Sequence, residues 1–390
     1  MAARAQARRG RRNSILVLLA VTAAGVALTG GVASAGNGGA SGGGLAAPKP
    51  PKLTGASCVE SCAALRQVAV NGTVKLTGRR LKYVNKVRFP TDNGSTAVTA
   101  TPVGSRAVEA KVPKGAKDAK PRAEDEFGQR AKSPVPLDII PESALPEPGS
   151  FRLAEAAVSP QKAFFFGDDQ PTLNYIFHGL GPTDVRVDVV SQGDGSVVRS
   201  WVLEDVAPNS QQLVSWNGQT DAGKAAKSGA YSFQVGGLGD SLTGTGSTEF
   251  GYYDHKFPIR GKHSYGDGIG APRAGHSHQG QDVFAKCGAP LEAARGGKVQ
   301  FKGYHGAAGN YLVIDGKKTG RDYVYMHLKN KAEVGQGERV RTGQLIGEVG
   351  ETGNASGCHL HFELWSPPGW YQGGHFLNPT KKLKRWDKWS

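Results

Sequence analysis

Nine of the ten histidines in this 390-residue chain lie beyond residue 254. Imidazole is the commonest metal ligand, so this crowding puts metal chemistry first. In His278-Gln279-Gly280-Gln281-Asp282 a histidine and a carboxylate stand four residues apart. On a helix they would share a face, but Gly280 and the glycines around it argue for a loop running into a strand, Val283-Phe284-Ala285. Such a junction can still bring both side chains to one ion, although the pair alone more often marks a polar surface turn. His359-Leu360-His361-Phe362-Glu363 says more. At period two both imidazoles leave one face of a strand, while Leu360 and Phe362 enter a core. Neighbouring imidazoles repel when protonated; a shared zinc, which requires neutral rings, explains them. Tyr325-Met326-His327-Leu328 closes a β-like run from Asp322, and a lone strand histidine is as readily structural as functional.

These elements fall in one order with several others. Between the first and last histidine motifs come Gly288-Ala289-Pro290-Leu291, Gly297-Lys298-Val299 and Gly309-Asn310-Tyr311-Leu312-Val313-Ile314. Gly343-Gln344-Leu345-Ile346-Gly347, Gly350-Glu351-Thr352-Gly353 and Gly357-Cys358 follow. Over roughly residues 255 to 380 the chain resembles the lysostaphin/LytM-type zinc metalloendopeptidases, which hydrolyse bacterial peptidoglycan. The resemblance implies an antiparallel β domain with a narrow groove over one zinc ion. His278, Asp282 and His361 would be its ligands, leaving one position open, as a catalytic zinc requires. His327 and His359 would be catalytic, taking a proton from the attacking water and stabilising the tetrahedral oxyanion. No H-E-x-x-H motif is present, so no glutamate base is implied. Glu363 shares the strand face of the two histidines and is a candidate for orienting a ligand.

The same resemblance makes the substrate the peptide bridges of peptidoglycan and the location extracytoplasmic, at the cell wall. Its alternative is a non-catalytic wall-binding or regulatory protein of the same fold. Cys358 stands where the family often has proline. Since Asp282 and His361 must converge, Cys287 and Cys358 are expected to be close, and a thiolate zinc site is the rival reading. His255, His263, His276, His305 and His375 are read as surface or groove-rim residues, with His276 the nearest alternative ligand.

The elements that must position this chemistry are short strands. Glycine (56) and proline (22) make up a fifth of the residues, which disfavours long helices. The expected fold class is mostly β: two immunoglobulin-like β-sandwich modules followed by the antiparallel peptidase-like domain. Residues 1–35 read as a signal peptide, with five arginines, an apolar run from Ile15 to Val32, and Ala33-Ser34-Ala35 as a cleavage site. After cleavage no stable membrane anchor is expected. Residues 36–54 read as a flexible linker. A first module over 55–140 loosely resembles the IPT/TIG fold, with Asn71-Gly72 and Asp92-Asn93-Gly94 taken as turns. A Pro-rich linker covers 141–153. The second module, 154–250, resembles the FlgD-type module through Trp216-Asn217-Gly218, Asp221-Ala222-Gly223 and Ser228-Gly229-Ala230-Tyr231, its aromatics read as core. The metallopeptidase domain is assigned 251–390. Four cysteines in an exported chain suggest two disulfides; local pairing gives Cys58–Cys62 and Cys287–Cys358. The formal charge of +15 falls to +10 without the leader's five arginines. That charge suits anionic wall polymers, and no nucleic-acid motif accompanies it.

Overall fold

A computed structural model describes residues 48–390 apart from Pro148, Thr245 and Ala274. The leader read at 1–35 and most of the linker after it lie outside the described residues. The first strands, Lys52–Ala64 and Gln67–Arg79, pair antiparallel through a tight connection. The Asn71-Gly72 turn expected from sequence is therefore not a turn. Asn71 sits inside the second strand with φ 64°, because asparagine tolerates the left-handed region at an irregularity in the ladder. These strands form a sheet with Ala107–Lys111, Thr101–Pro102 and Asp138–Ile140. Gly94–Thr99, Val84–Thr91, Arg122–Asp125 and Arg130–Lys132 form another. Their alternating apolar residues, including Val74, Leu76, Val87 and Phe89, make one core.

The next two sheets share a second core. One contains Arg152–Ser159, Thr172–His178 and Gln212–Ser215; the other contains Lys162–Phe164, Glu249–Tyr253, Gly229–Gly237, Thr183–Ser191 and Val197–Val206. Trp216 is fully buried there among Tyr231, Phe250 and Tyr252, and its indole donates to the Gln219 carbonyl at 2.8 Å. Trp216, Tyr231, Phe233, Phe250 and Tyr252 are core, as expected of aromatics in a sandwich.

The C-terminal third is built on one antiparallel sheet. Its strands run His263–Tyr265, Gln281–Ala285, His359–Trp365, Arg321–Leu328, Gly309–Gly316, Gly297–His305 and Arg339–Val340, with Phe376–Leu377 also pairing His359–Trp365. Alternation sorts each central strand into two faces. Leu360, Phe362 and Leu364 meet Tyr323, Tyr325, Leu312 and Ile314 in a core closed by Leu383 and Trp386 of the helix Thr380–Asp387. Each such fully buried side chain contributes about 1.5–3 kcal/mol. The opposite face carries Val313, Val324, Met326 and Trp365, and the intervening residues of His359–Trp365 share it.

This domain is tied to the one before it. Thr342 donates its backbone N–H to Phe166 O at 2.9 Å and its hydroxyl to Phe165 O at 2.7 Å. Buried Arg295 lies over the Phe165 and Phe166 rings. His255 departs from the surface position expected of it. It is buried, stacked on Trp386 at 4.4 Å between ring centres, with Nε2 2.6 Å from the Tyr323 hydroxyl. Packing of the C-terminal helix, invisible to local spacing, puts it there. No helix among the described residues is long and apolar enough to cross a membrane.

Candidate metal centre

Asp282 and His361 stand directly opposite each other on neighbouring strands, so their side chains leave the same face. Asp282 Oδ1 lies 3.0 Å from His361 Nδ1. His278 enters from the preceding loop, its Nε2 3.0 Å from Asp282 Oδ1 and 2.9 Å from His361 Nδ1. All three residues are buried, and their ligand atoms lie within 4.8 Å of one another.

The far sides of the rings decide where the hydrogens are. A carbonyl oxygen only accepts, so His278 Nδ1, 2.9 Å from Gly268 O, donates and Nε2 is turned towards the other two residues. His361 Nε2 faces Glu363 Oε1 at 3.0 Å and donates to it, which turns Nδ1 towards Asp282. Glu363 is itself held by the indole N–H groups of Trp365 and Trp370, at 2.7 and 3.2 Å. His278 Nε2, Asp282 Oδ1 and His361 Nδ1 thus converge on one point while the far nitrogen of each ring is held by an acceptor, an arrangement that suits a cation. Burial favours neutral His361, but Asp282 and Glu363 at its two nitrogens outweigh burial and push its pKa up to about 9. Burial alone would raise the Asp282 carboxyl; hydrogen bonds and charge from His278 and His361 hold it well below the usual carboxylate range. The field that draws a proton draws a metal ion. Ligand atoms about 2.0–2.1 Å from a tetrahedral zinc stand roughly 3.3 Å apart, near the 2.9–3.0 Å spacing here. The donor set fits such an ion.

Close approach of loop and strand depends on Gly280. A Cβ there would come 2.5 Å from Phe362 O and 2.8 Å from His361 Nε2. Gly280→Ala should therefore push the His278 segment off the strand and weaken metal binding by about 10–100-fold, the range typical of disturbed supporting groups. Competition with a chromophoric chelator measures this, and unchanged affinity would contradict the packing argument.

His327 and His359 stand beside this cluster. The register slips between Asn310 and Leu312, which pair with Leu328 and Tyr325 respectively, so Met326 and His327 together oppose Tyr311. Strict alternation would send His327 into the core with Tyr323 and Tyr325. Its φ of 62° turns it to the other face instead, 4.7 Å from the His359 ring and 6.0 Å from that of His361. A non-glycine residue in this region costs about 1–3 kcal/mol, and two contacts hold it: His327 N donates to Ala308 O at 2.9 Å, and Nδ1 to Thr352 O at 2.8 Å. Burial, against the pull of the Thr352 carbonyl and with help from His359 and His361, lowers its pKa to about 4. His327 is thus neutral near pH 7, with Nε2 bare. His359 donates from Nδ1 to Gly357 O at 2.8 Å, and its Nε2 lies 3.7 Å from Asp282 Oδ1. Both rings are held at Nδ1 by a backbone carbonyl beside the cluster.

The five residues singled out from sequence come together. What sequence reading missed is their backing: the carbonyls of Gly268, Thr352 and Gly357 carry no side-chain signature, and the steric role of Gly280 appears only once the strands pair. His276 is exposed in a short hairpin and is not among the three converging donors. The thiolate reading is overturned, because Cys287 and Cys358 form a disulfide, as do Cys58 and Cys62. The Cys287–Cys358 bond joins residues 71 apart and abuts His359. Restricting a loop of that length in the unfolded chain stabilises by about 4 kcal/mol. Serine at both positions should lower the unfolding free energy by about that amount in urea denaturation; a loss under about 1 kcal/mol would contradict the estimate.

An antiparallel sheet thus presents two histidines and an aspartate to one point, flanked by two further histidines, and the three donors could hold a metal ion. Residues 276–379 match the model of Peptidase family M23, and the chain carries a domain of that family of metallopeptidases. Over 90 residues it is 42% identical to the peptidoglycan DD-endopeptidase ShyC of Vibrio cholerae, covering 23% of this chain and 20% of that one. Over 91 residues it is 36% identical to the glycyl-glycine endopeptidase ALE-1 of Staphylococcus capitis, covering 23% of this chain and 25% of the relative. The chain thus spans about a fifth to a quarter of the length of these relatives. Among solved structures, the catalytic domain of lysostaphin from Staphylococcus simulans is similar at 30% identity and a TM-score of 0.29, covering 31% of this chain and 92% of that one.

Proposed function

We propose that the chain is an exported zinc endopeptidase that hydrolyses the peptide cross-links of bacterial peptidoglycan. The observation that carries this reading is the convergence of His278 Nε2, Asp282 Oδ1 and His361 Nδ1 beside the rings of His327 and His359, each held at Nδ1 by a backbone carbonyl. His278, Asp282 and His361 would hold the ion. A bound zinc polarises a carbonyl and brings the pKa of water towards about 7. His327 and His359 would take the proton of the attacking water at Nε2 and then face the scissile oxygen as its charge grows. Their Nδ1–H bonds to carbonyls fix the rings for that task. The names of the similar proteins, one a DD-endopeptidase and one a glycyl-glycine endopeptidase, support the wall bridge as substrate class.

The proposal extends to the whole chain. Residues 1–35 direct export and are removed, and 36–54 serve as a linker. The 55–140 and 154–250 modules, immunoglobulin-like of IPT/TIG and FlgD type, are spacers joined through 141–153. The net positive charge would draw the chain to anionic wall polymers. Incubating zinc-loaded protein with purified cross-linked wall should convert dimeric muropeptides to monomers in mass spectra, and chelator treatment should stop it. Unchanged cross-linking with zinc bound would favour the wall-binding alternative.

A further inference from the structure

Asp282 uses only one carboxylate oxygen on the histidines. The other, Oδ2, meets Arg273 Nη2 at 3.0 Å. Arg273 lies on the hairpin pairing Pro272–Arg273 with His276–Ser277, and its Nη1 reaches Asp267 Oδ2 at 3.0 Å and Pro272 O at 3.2 Å. The same segment grips Asp282 by its backbone. Asp282 N donates to Asp267 O at 2.8 Å, and Gly266 N donates to Asp282 O at 2.9 Å. Asp267 is well exposed, and an ion pair to it alone would be worth little. Asp282 is buried, with 9% of its side chain accessible, and a charge-assisted bond there constrains more strongly.

We infer that Arg273 is a positioning residue of the metal centre: it occupies Asp282 Oδ2 so that the carboxylate offers Oδ1 alone to the ion. The inference rests on the metal-centre reading above. A carboxylate with both oxygens free can grip a cation with both and crowd the position that a substrate needs. The rigid guanidinium fork, anchored to Asp267 on one arm, prevents that rotation.

Cobalt(II) substitution reads the coordination directly through its visible absorption, independently of turnover. Wild type should bind one cobalt per chain. Arg273→Ala should show weaker d–d absorption, as Oδ2 joins the ion and coordination number rises, and kcat/KM should fall about 10–100-fold. Arg273→Lys keeps a cation able to meet Oδ2 but loses the fork that also reaches Asp267, and should restore the spectrum only in part. If the alanine variant proves unfolded by circular dichroism, the lysine variant decides: d–d absorption weaker than wild type supports the inference, and a spectrum identical to wild type overturns it. A folded alanine variant with wild-type spectrum and activity overturns it, as does a lysine variant no better than alanine. Failure of the wild type to take up cobalt would instead defeat the metal-centre reading itself.

Discussion

His361→Ala should leave the purified chain without its metal. The substitution removes Nδ1, one of three donor atoms spaced 2.9–3.0 Å apart, and leaves His278 and Asp282 as a two-ligand site. Structural and catalytic zinc alike take at least three protein ligands, so the loss should exceed the 10–100-fold typical of changes to outer partners. It also strands Glu363, whose Oε1 loses its imidazole partner while Oε2 stays on the two tryptophans. Metal analysis after gel filtration should find far less than one zinc per chain, with hydrolysis lost in parallel. Near-stoichiometric zinc in this variant would remove His361 from the ligand set.

His359→Ala and His327→Ala should do the reverse. Neither ring supplies one of the three converging atoms, so zinc should stay near one per chain. Turnover should fall by about 10²–10⁴-fold, the size of a general acid–base contribution, or about 10²–10³-fold for a group stabilising an oxyanion. Steady-state rates on a defined cross-linked peptide, taken alongside metal content, check both. Equal zinc loss in the His359 and His361 variants would make both ligands and leave the mechanism without that base.

The site was legible in the sequence where local period governs it. His359–Trp365 is packed on both faces, so its period-two pattern placed the histidines opposite Leu360 and Phe362 correctly. His278 and Asp282 were read correctly as a loop entering a strand, because glycine at 280 speaks against helix. His327 was legible in type but not in direction. Its alternation matches the core residues Tyr323 and Tyr325, and only the extra residue opposite Tyr311, a property of strand pairing, turns it to the other face. Asn71-Gly72 failed for a related reason: a dipeptide that tolerates left-handed backbone serves an irregular ladder as well as a turn. The connection actually used, between Ala64 and Gln67, contains neither glycine nor asparagine. His255 and Arg273 escaped because their partners, Trp386 and Asp282, lie on other elements, and no spacing rule reaches across the fold.

The central claim is that one zinc ion held by these three side chains hydrolyses a wall cross-link. Titrating zinc into metal-free protein while following the initial rate of cleavage of a dimeric muropeptide tests it most directly. The rate should start near zero, climb linearly and level off at one zinc per chain. A rate independent of added zinc, or no cleavage once one zinc is bound, would contradict the account.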